Sequence, residues 1–468
     1  MELLNFIGGE FVGSESKKTF VKKSPFDNSE LATVVSSDAM DVIKAIQHSK
    51  KALQASENDS VEQRSQILNA LADYFLANAE QIAYQEALHQ GLSKKFSLKH
   101  NVQVAIDCLR KNAQDVLKPL PAGTIAQRSG IIGIVTSWSL SLRLVTERLA
   151  PALAAGNAVL IKVSEHSPIT GQILGEALKA AQVPAGLVQI LQGDAEPAKI
   201  IAGHPSVRAV TATGRQSTIE AIAKAAQVQF KKLQLSGGAK NSSMVLTDFD
   251  YKNRIGEILE SFLLGQGQMC WNTTRLFVLE SFAKEFTEEL KAYLGNLKPL
   301  TSPEGDSLWT PLIAADRIAT IKERIQFGVS EHGKVMSEAD AASVSGNFIR
   351  PTFMIDLPNC SVMQQDELHG PLFLITPVKY QHEILKWSNT SYLGHSAVIW
   401  GPDEKLLKVA TKLECAQVWL NSWMSGSEEA IFGLKQSSFG MTDMSWAGTF
   451  YSDAVSYTHL RAHETSLH

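Results

Sequence analysis

A chain of 468 residues exceeds the ~250 to 300 residues at which a single core stops growing, so two large domains are expected. Hydrophobic residues at 44%, charged residues at 20% and a formal net charge of −4 exclude a disordered chain, a fibre and a basic surface for nucleic acid. The cysteines, Cys108, Cys270, Cys360 and Cys415, lack the close pair spacing of zinc sites and small disulfide scaffolds, which points to a reducing compartment.

The opening stretch MELLNFIGGEFVGSES has neither the basic nor the apolar region of a secretion signal. No run of ~18 uninterrupted apolar residues follows, so a cytoplasmic protein without a membrane partner is expected. Ile67, Leu68, Leu71, Tyr74 and Phe75 recur at spacings of three and four and predict an amphipathic helix, for which Ser60 and Gln63 offer a capping box. DVLKPLPAGTIAQRSG is too polar and too marked by Pro and Gly for a core strand, and 115–129 is expected to form a hairpin that leaves the domain body.

From Gly130 the pattern changes to short apolar runs, IIGIVTSW, NAVLIKV, GLVQILQG, VRAVTAT and FKKLQL, separated by helical stretches. That rhythm predicts an α/β fold with a parallel sheet covered on both faces. A second α/β series begins after Ser236 with SSMVL, RIGEILESFLLGQ, RLFVL and FAKEFTEELKAYL. The last residues, 455–468, read VSYTHLRAHETSLH, resemble a translated sequencing adaptor and are set aside.

Three segments carry chemistry. In GQGQMCWNTTR, Cys270 follows Gly/Gln turns between an apolar helix and a strand-like run; a thiol beside turn N–H groups can attack a carbonyl, although alone it reads equally as a buried hydrophobe beside Met269 and Trp271. KVSEHSP puts Lys162 and Glu165 where a strand ends, the edge at which open parallel sheets bind nucleotides, or in an ordinary solvated loop. TATGRQST runs a strand through Gly214 into a helix, which suits a diphosphate or a plain turn. A lone histidine such as His369 reads as structural, and no cluster suggests a metal.

Together with GIIGIVTSWSLSL, RLAPALAAGNAVLIKVSEHSPIT, LQLSGGAKNSSMVL, QQDELHGPLFLI, VWLNS and FGLKQSSFG, these segments resemble the aldehyde dehydrogenase superfamily from about Phe6 to Ala454. The resemblance implies a Rossmann-type nucleotide-binding domain (1–114 and 130–236), a second α/β catalytic domain (237–431) and bridging or oligomerisation elements (115–129 and 432–454). It implies that a Cys270 thiolate captures an aldehyde, that hydride passes to NAD, and that the thioester is then cleaved. Lys162 and Glu165 match the residues that hold the adenosine ribose, Gly214 the dinucleotide turn, Glu367 the carboxylate on the nicotinamide ribose and Trp138 the aromatic beside the oxyanion position. NAD is expected rather than NADP, because Glu165 would repel a 2′-phosphate. A homo-oligomer is also expected, unless the tail cuts short a final strand near residue 450.

Four positions depart from the family pattern. Ser139 replaces the usual oxyanion-hole Asn, a donor whose loss costs about 10²- to 10³-fold in kcat. Ser236 stands where the family carries the Glu that activates water, with Gln234 as the only nearby rival, so impaired or altered deacylation is expected. Ile219 replaces a glycine and is expected to crowd the phosphates, and His369 replaces a Phe. Transfer to coenzyme A and a catalytically silent subunit are the alternatives.

Overall fold

The computed structural model describes residues 1–120, 126–336, 344–425, 433–441, 445, 448 and 450–454. Ser60 caps the helix Val61–Ala77 in the expected box, its side chain accepting from the Gln63 N–H while Gln63 reaches back to the Ser60 N–H. Leu68, Leu71 and Phe75 form the buried stripe of that helix.

The first sheet has eight strands in the spatial order Ser438–Gly440, Lys232–Gly237, Val207–Gly214, Ile131–Val135, Ala158–Lys162, Val188–Leu191, Asn5–Ile7 and Glu10–Val12. The five from 131 to 237 run parallel, joined through helices such as Ser141–Ala154, Ile169–Ala180 and Gln216–Gln227, while the outer strands at both edges pair antiparallel. Ile131–Val135 and Ala158–Lys162 are buried along their whole length, which is why the sequence reads there as continuous apolar runs rather than an alternation.

The chain passes from Gly237 through three residues into Asn241–Val245, a central strand of a second, seven-stranded sheet. Its order is Lys334–Val335, Thr352–Ile355, Leu372–Val378, Thr273–Leu279, Asn241–Val245, Ser396–Trp400 and Gln417–Leu420, parallel except at the first edge. A core of Phe262, Leu276, Phe353, Phe373 and Trp400 packs on it. This succession turns the carboxyl ends of the first sheet's strands, at Lys162, Gly214 and Ser236, toward the amino ends of the second sheet's strands.

The 115–129 segment, expected as a hairpin, is described only on either side of 121–125. Asp115 closes the helix Gln103–Asp115, and Ala126–Arg128 is a strand whose antiparallel partner is Ser452–Ala454, near the other end of the chain. The rest of the expected hairpin, 121–125, the 426–432 junction and the 455–468 tail lie outside the described residues. Among the described residues no helix is long and apolar enough to cross a membrane.

Candidate active site

Trp138, Ser139, Lys162, Glu165, Gly214, Ser236, Cys270 and Glu367, drawn from two sheets and more than two hundred positions of sequence, line one cleft of about 370 Å³. The first sheet contributes its strand ends and the turns after them. The second contributes the residues that precede its strands: Cys270 before Thr273–Leu279, Glu367 before Leu372–Val378 and His395 before Ser396–Trp400.

The Cys270 turn is fixed from within and from behind. Gly265 and Gln266 take left-handed conformations; Asn272 accepts the Met269 N–H at 2.8 Å and donates to the Leu264 carbonyl at 3.0 Å. Gly267, also left-handed, lies so near the Gly370 carbonyl that a Cβ would stand 2.4 Å from it, which ties the cysteine turn to the Glu367 segment. Asn241 donates to the Cys270 carbonyl at 2.7 Å and accepts the Ser396 N–H at 3.0 Å. Burial pushes the thiol up to about 12 and the Glu367 charge adds to that, while Arg143 and Arg148 pull it down.

Glu367 accepts the Ala239 N–H on one oxygen and faces His369 Nε2 at 3.0 Å on the other. Burial alone would raise this carboxyl; His369, the Ala239 N–H and His395 outweigh it and hold Glu367 below the ordinary carboxylate value. Glu165 follows the same balance: burial raises it, and Lys162, 3.1 Å away, with His166 brings it net downward.

Ser139 precedes Leu140, which is left-handed at φ 49° and begins the helix Ser141–Ala154 without a side-chain cap of its own. Other elements supply the cap. Gln90 accepts the Leu140 N–H at 3.0 Å, and Asn101 accepts the Arg143 N–H at 2.8 Å. Both amides donate in turn to the fully buried Glu86, which also accepts from Thr170 at 2.6 Å. Burial pushes Glu86 up to about 7 against these donors.

One sequence expectation is corrected. Ile219 does not crowd the cleft: it is buried, a Cβ on Gly237 would lie 2.6 Å from its Cγ1, and Ser217, Thr218 and Ala221 line the turn instead. His369, expected to be a satisfied structural residue, has its partner in Glu367 and also lines the cleft. Gln234 is fully buried, accepting from Thr211 and Tyr451, and is not among the residues that line the cleft.

The sequence reading missed Arg215, Arg317 and His395, which also line the cleft. Arg215 follows Gly214 directly and feels the charges of Asp316, Glu367 and Glu165; a cation after the turn glycine was the available signal. His395 carried none, because nothing in its local sequence marks it as a cleft residue or ties it to the Glu367 charge. No metal-holding group of His, Cys, Asp or Glu occurs among the described residues.

Residues 11–456 match the Aldehyde dehydrogenase family. A 2-hydroxymuconic semialdehyde dehydrogenase of Pseudomonas sp. (strain CF600) is 31% identical over 97% of this chain and 98% of its own length, and a 2-aminomuconic semialdehyde dehydrogenase of Danio rerio is 27% identical over the same shares. The NAD+ complex of an aldehyde dehydrogenase from Bacillus cereus superposes with a TM-score of 0.91 at 24% identity, covering 97% of this chain and 96% of that one. The aldehyde dehydrogenase KauB from Pseudomonas aeruginosa superposes at 0.89 with 26% identity, over 97% and 96%.

Proposed function

Because the chain belongs to the aldehyde dehydrogenase family, a family of oxidoreductases, we propose that it oxidises a semialdehyde with NAD through a covalent intermediate on Cys270, and that deacylation does not use the usual carboxylate. The meeting of all eight expected residues around one cleft carries this reading. A semialdehyde bears a carboxylate besides its aldehyde, and the names of the 2-hydroxymuconic and 2-aminomuconic semialdehyde dehydrogenases support that substrate class.

The residues present fit a dinucleotide. Lys162 and Glu165 would hold the adenosine ribose and Glu367 the nicotinamide ribose, with Arg215, next to the Gly214 turn and acted on by both carboxylates, to face the diphosphate. The ionised Glu165 favours NAD over NADP, since it repels a 2′-phosphate. Bound NAD supplies the hydride acceptor.

In the first half-reaction the Cys270 sulfur bonds to the aldehyde carbon. The Cys270 N–H and the Ser139 hydroxyl are the donors for the developing oxyanion. Loss of hydride from that carbon leaves a thioester on Cys270. Attack by water then forms the C–O bond, breaks the C–S bond and returns the thiolate, and a base must take the water's proton. Ser236 occupies the usual base position without an ionisable proton acceptor.

The test is NADH formation with a panel of semialdehydes and simple aldehydes, with Cys270→Ala as control. Activity greatest on the semialdehydes and lost in the control is expected. A rate that rises only with coenzyme A would identify the acceptor as a thiol rather than water. No NADH under any condition would leave a catalytically silent subunit.

A further inference from the structure

The missing carboxylate at 236 leaves the deacylation step without a base, and the cleft holds another group able to take a proton. His369 stands where the family pattern has an aromatic residue. It lines the same cleft as Cys270 and is partly exposed to it, and its Nε2 faces the Glu367 carboxylate at 3.0 Å. A carboxylate on Nε2 selects the tautomer with its proton there, which leaves Nδ1 with the lone pair. The close approach of Gly267 to the Gly370 carbonyl brings the cysteine turn against the segment that carries His369, and the Glu367 charge adds to the raised Cys270 thiol.

The backbone holds this arrangement. His369 has φ 49°, a left-handed conformation unusual for a non-glycine residue, and Gly370 packs against Ile321, where a Cβ would lie 2.2 Å from Cδ1. His395, fully buried, also lines the cleft and acts on the Glu367 charge, and its Nδ1 has no hydrogen-bond partner among the described residues. The charged and titratable groups around the Glu367–His369 pair are Cys270, His395, Arg215, Lys240 and Tyr392.

The geometry points to His369, oriented by Glu367, as the general base that deacylates Cys270 in place of the carboxylate absent at Ser236. Nδ1 takes a proton from water as its oxygen attacks the thioester carbonyl. The C–O bond forms, the C–S bond breaks, the electron pair leaves on Cys270 Sγ, and the proton returns to the thiolate or to solvent. The products are a carboxylic acid and the free enzyme. This inference rests on Cys270 as the nucleophile.

The experiment needs no dinucleotide. The protein is acylated with p-nitrophenyl acetate; nitrophenolate release reports acylation, and intact mass reports how long the acetyl group stays on Cys270. His369→Phe should slow deacylation about 10²-fold, far more than it alters acylation, as expected for loss of a general base. His369→Gln, which can still donate to Glu367 but cannot take a proton, should be equally slow. Ser236→Glu added to His369→Phe should restore the rate. Unchanged deacylation in both variants would overturn the inference, as would a His369→Gln protein as fast as wild type, which leaves His369 a positioning role alone. Absence of any adduct on Cys270 would remove the nucleophile assignment and this inference with it.

Discussion

At the scale of single residues, the cleft sets the reactivity of Cys270 through its neighbours. Burial is the larger cause of the raised thiol and the Glu367 charge the second, so Glu367→Gln should lower the thiol's value and speed its alkylation by iodoacetamide at pH 8. An equal or slower rate in the variant would mean that the carboxylate does not act on the sulfur. The residues legible in the sequence were those whose neighbours form a motif, such as Cys270 in GQGQMCWNTTR and Lys162 and Glu165 in KVSEHSP. His395 was not legible, because its relation to the Glu367 charge and its place in the cleft come from tertiary packing that no local motif announces. Ile219 was misread for a related reason: a glycine replaced at a turn suggests bulk in the site, yet the direction of its side chain is set by the packing of its helix on Gly237.

At the scale of elements, the start of the helix Ser141–Ala154 depends on a buried polar network from other elements. Leu140 and Arg143 donate to Gln90 and Asn101, and both of these lean on Glu86. Gln90→Met keeps the bulk and removes the acceptor for Leu140, leaving a buried N–H unpaired next to Ser139. The expected result is a loss of about 1 to 3 kcal/mol in stability and faster amide exchange at Leu140. Because Ser139 is the proposed oxyanion donor, acylation of Cys270 should slow as well; unchanged acylation with faster exchange would separate this turn from catalysis. The strand and helix succession from 130 onward was readable from period alone, since fully buried parallel strands appear as short apolar runs. The pairing of Ala126–Arg128 with Ser452–Ala454 was not, because periodicity carries no information about partners at opposite ends of a chain.

At the scale of the whole molecule, buried titratable groups make stability depend on pH with a sign that can be worked out. His89 is pushed down to about 3, by burial and the Lys22 charge, and His395 to about 4 by burial against the pull of Glu367. Unfolding lets both imidazoles take protons below pH 6.5 that the fold denies them, so stability present above that pH is lost as pH falls. Glu86 runs the other way: raised to about 7 from 4.5, its ionised form costs the fold stability above that window, and the cost is relieved as pH falls through it. His100, likewise pushed down to about 4 by burial, joins these two, and three imidazoles against one carboxyl leave a net loss of stability as pH falls from 6.5 to 4.5. The melting temperature should therefore fall between pH 6.5 and 5, and a flat profile would contradict this balance.

The central claim is that one cleft between two sheets makes a covalent aldehyde oxidation site whose second half-reaction differs from the usual route. Rapid mixing with a semialdehyde and saturating NAD, followed by intact-mass and peptide analysis, tests it most directly. The account predicts a burst approaching one NADH per chain, an acyl group on the Cys270 peptide, and slower turnover afterwards. NADH formed with no burst and no acyl group on Cys270, or no NADH at all, would contradict it.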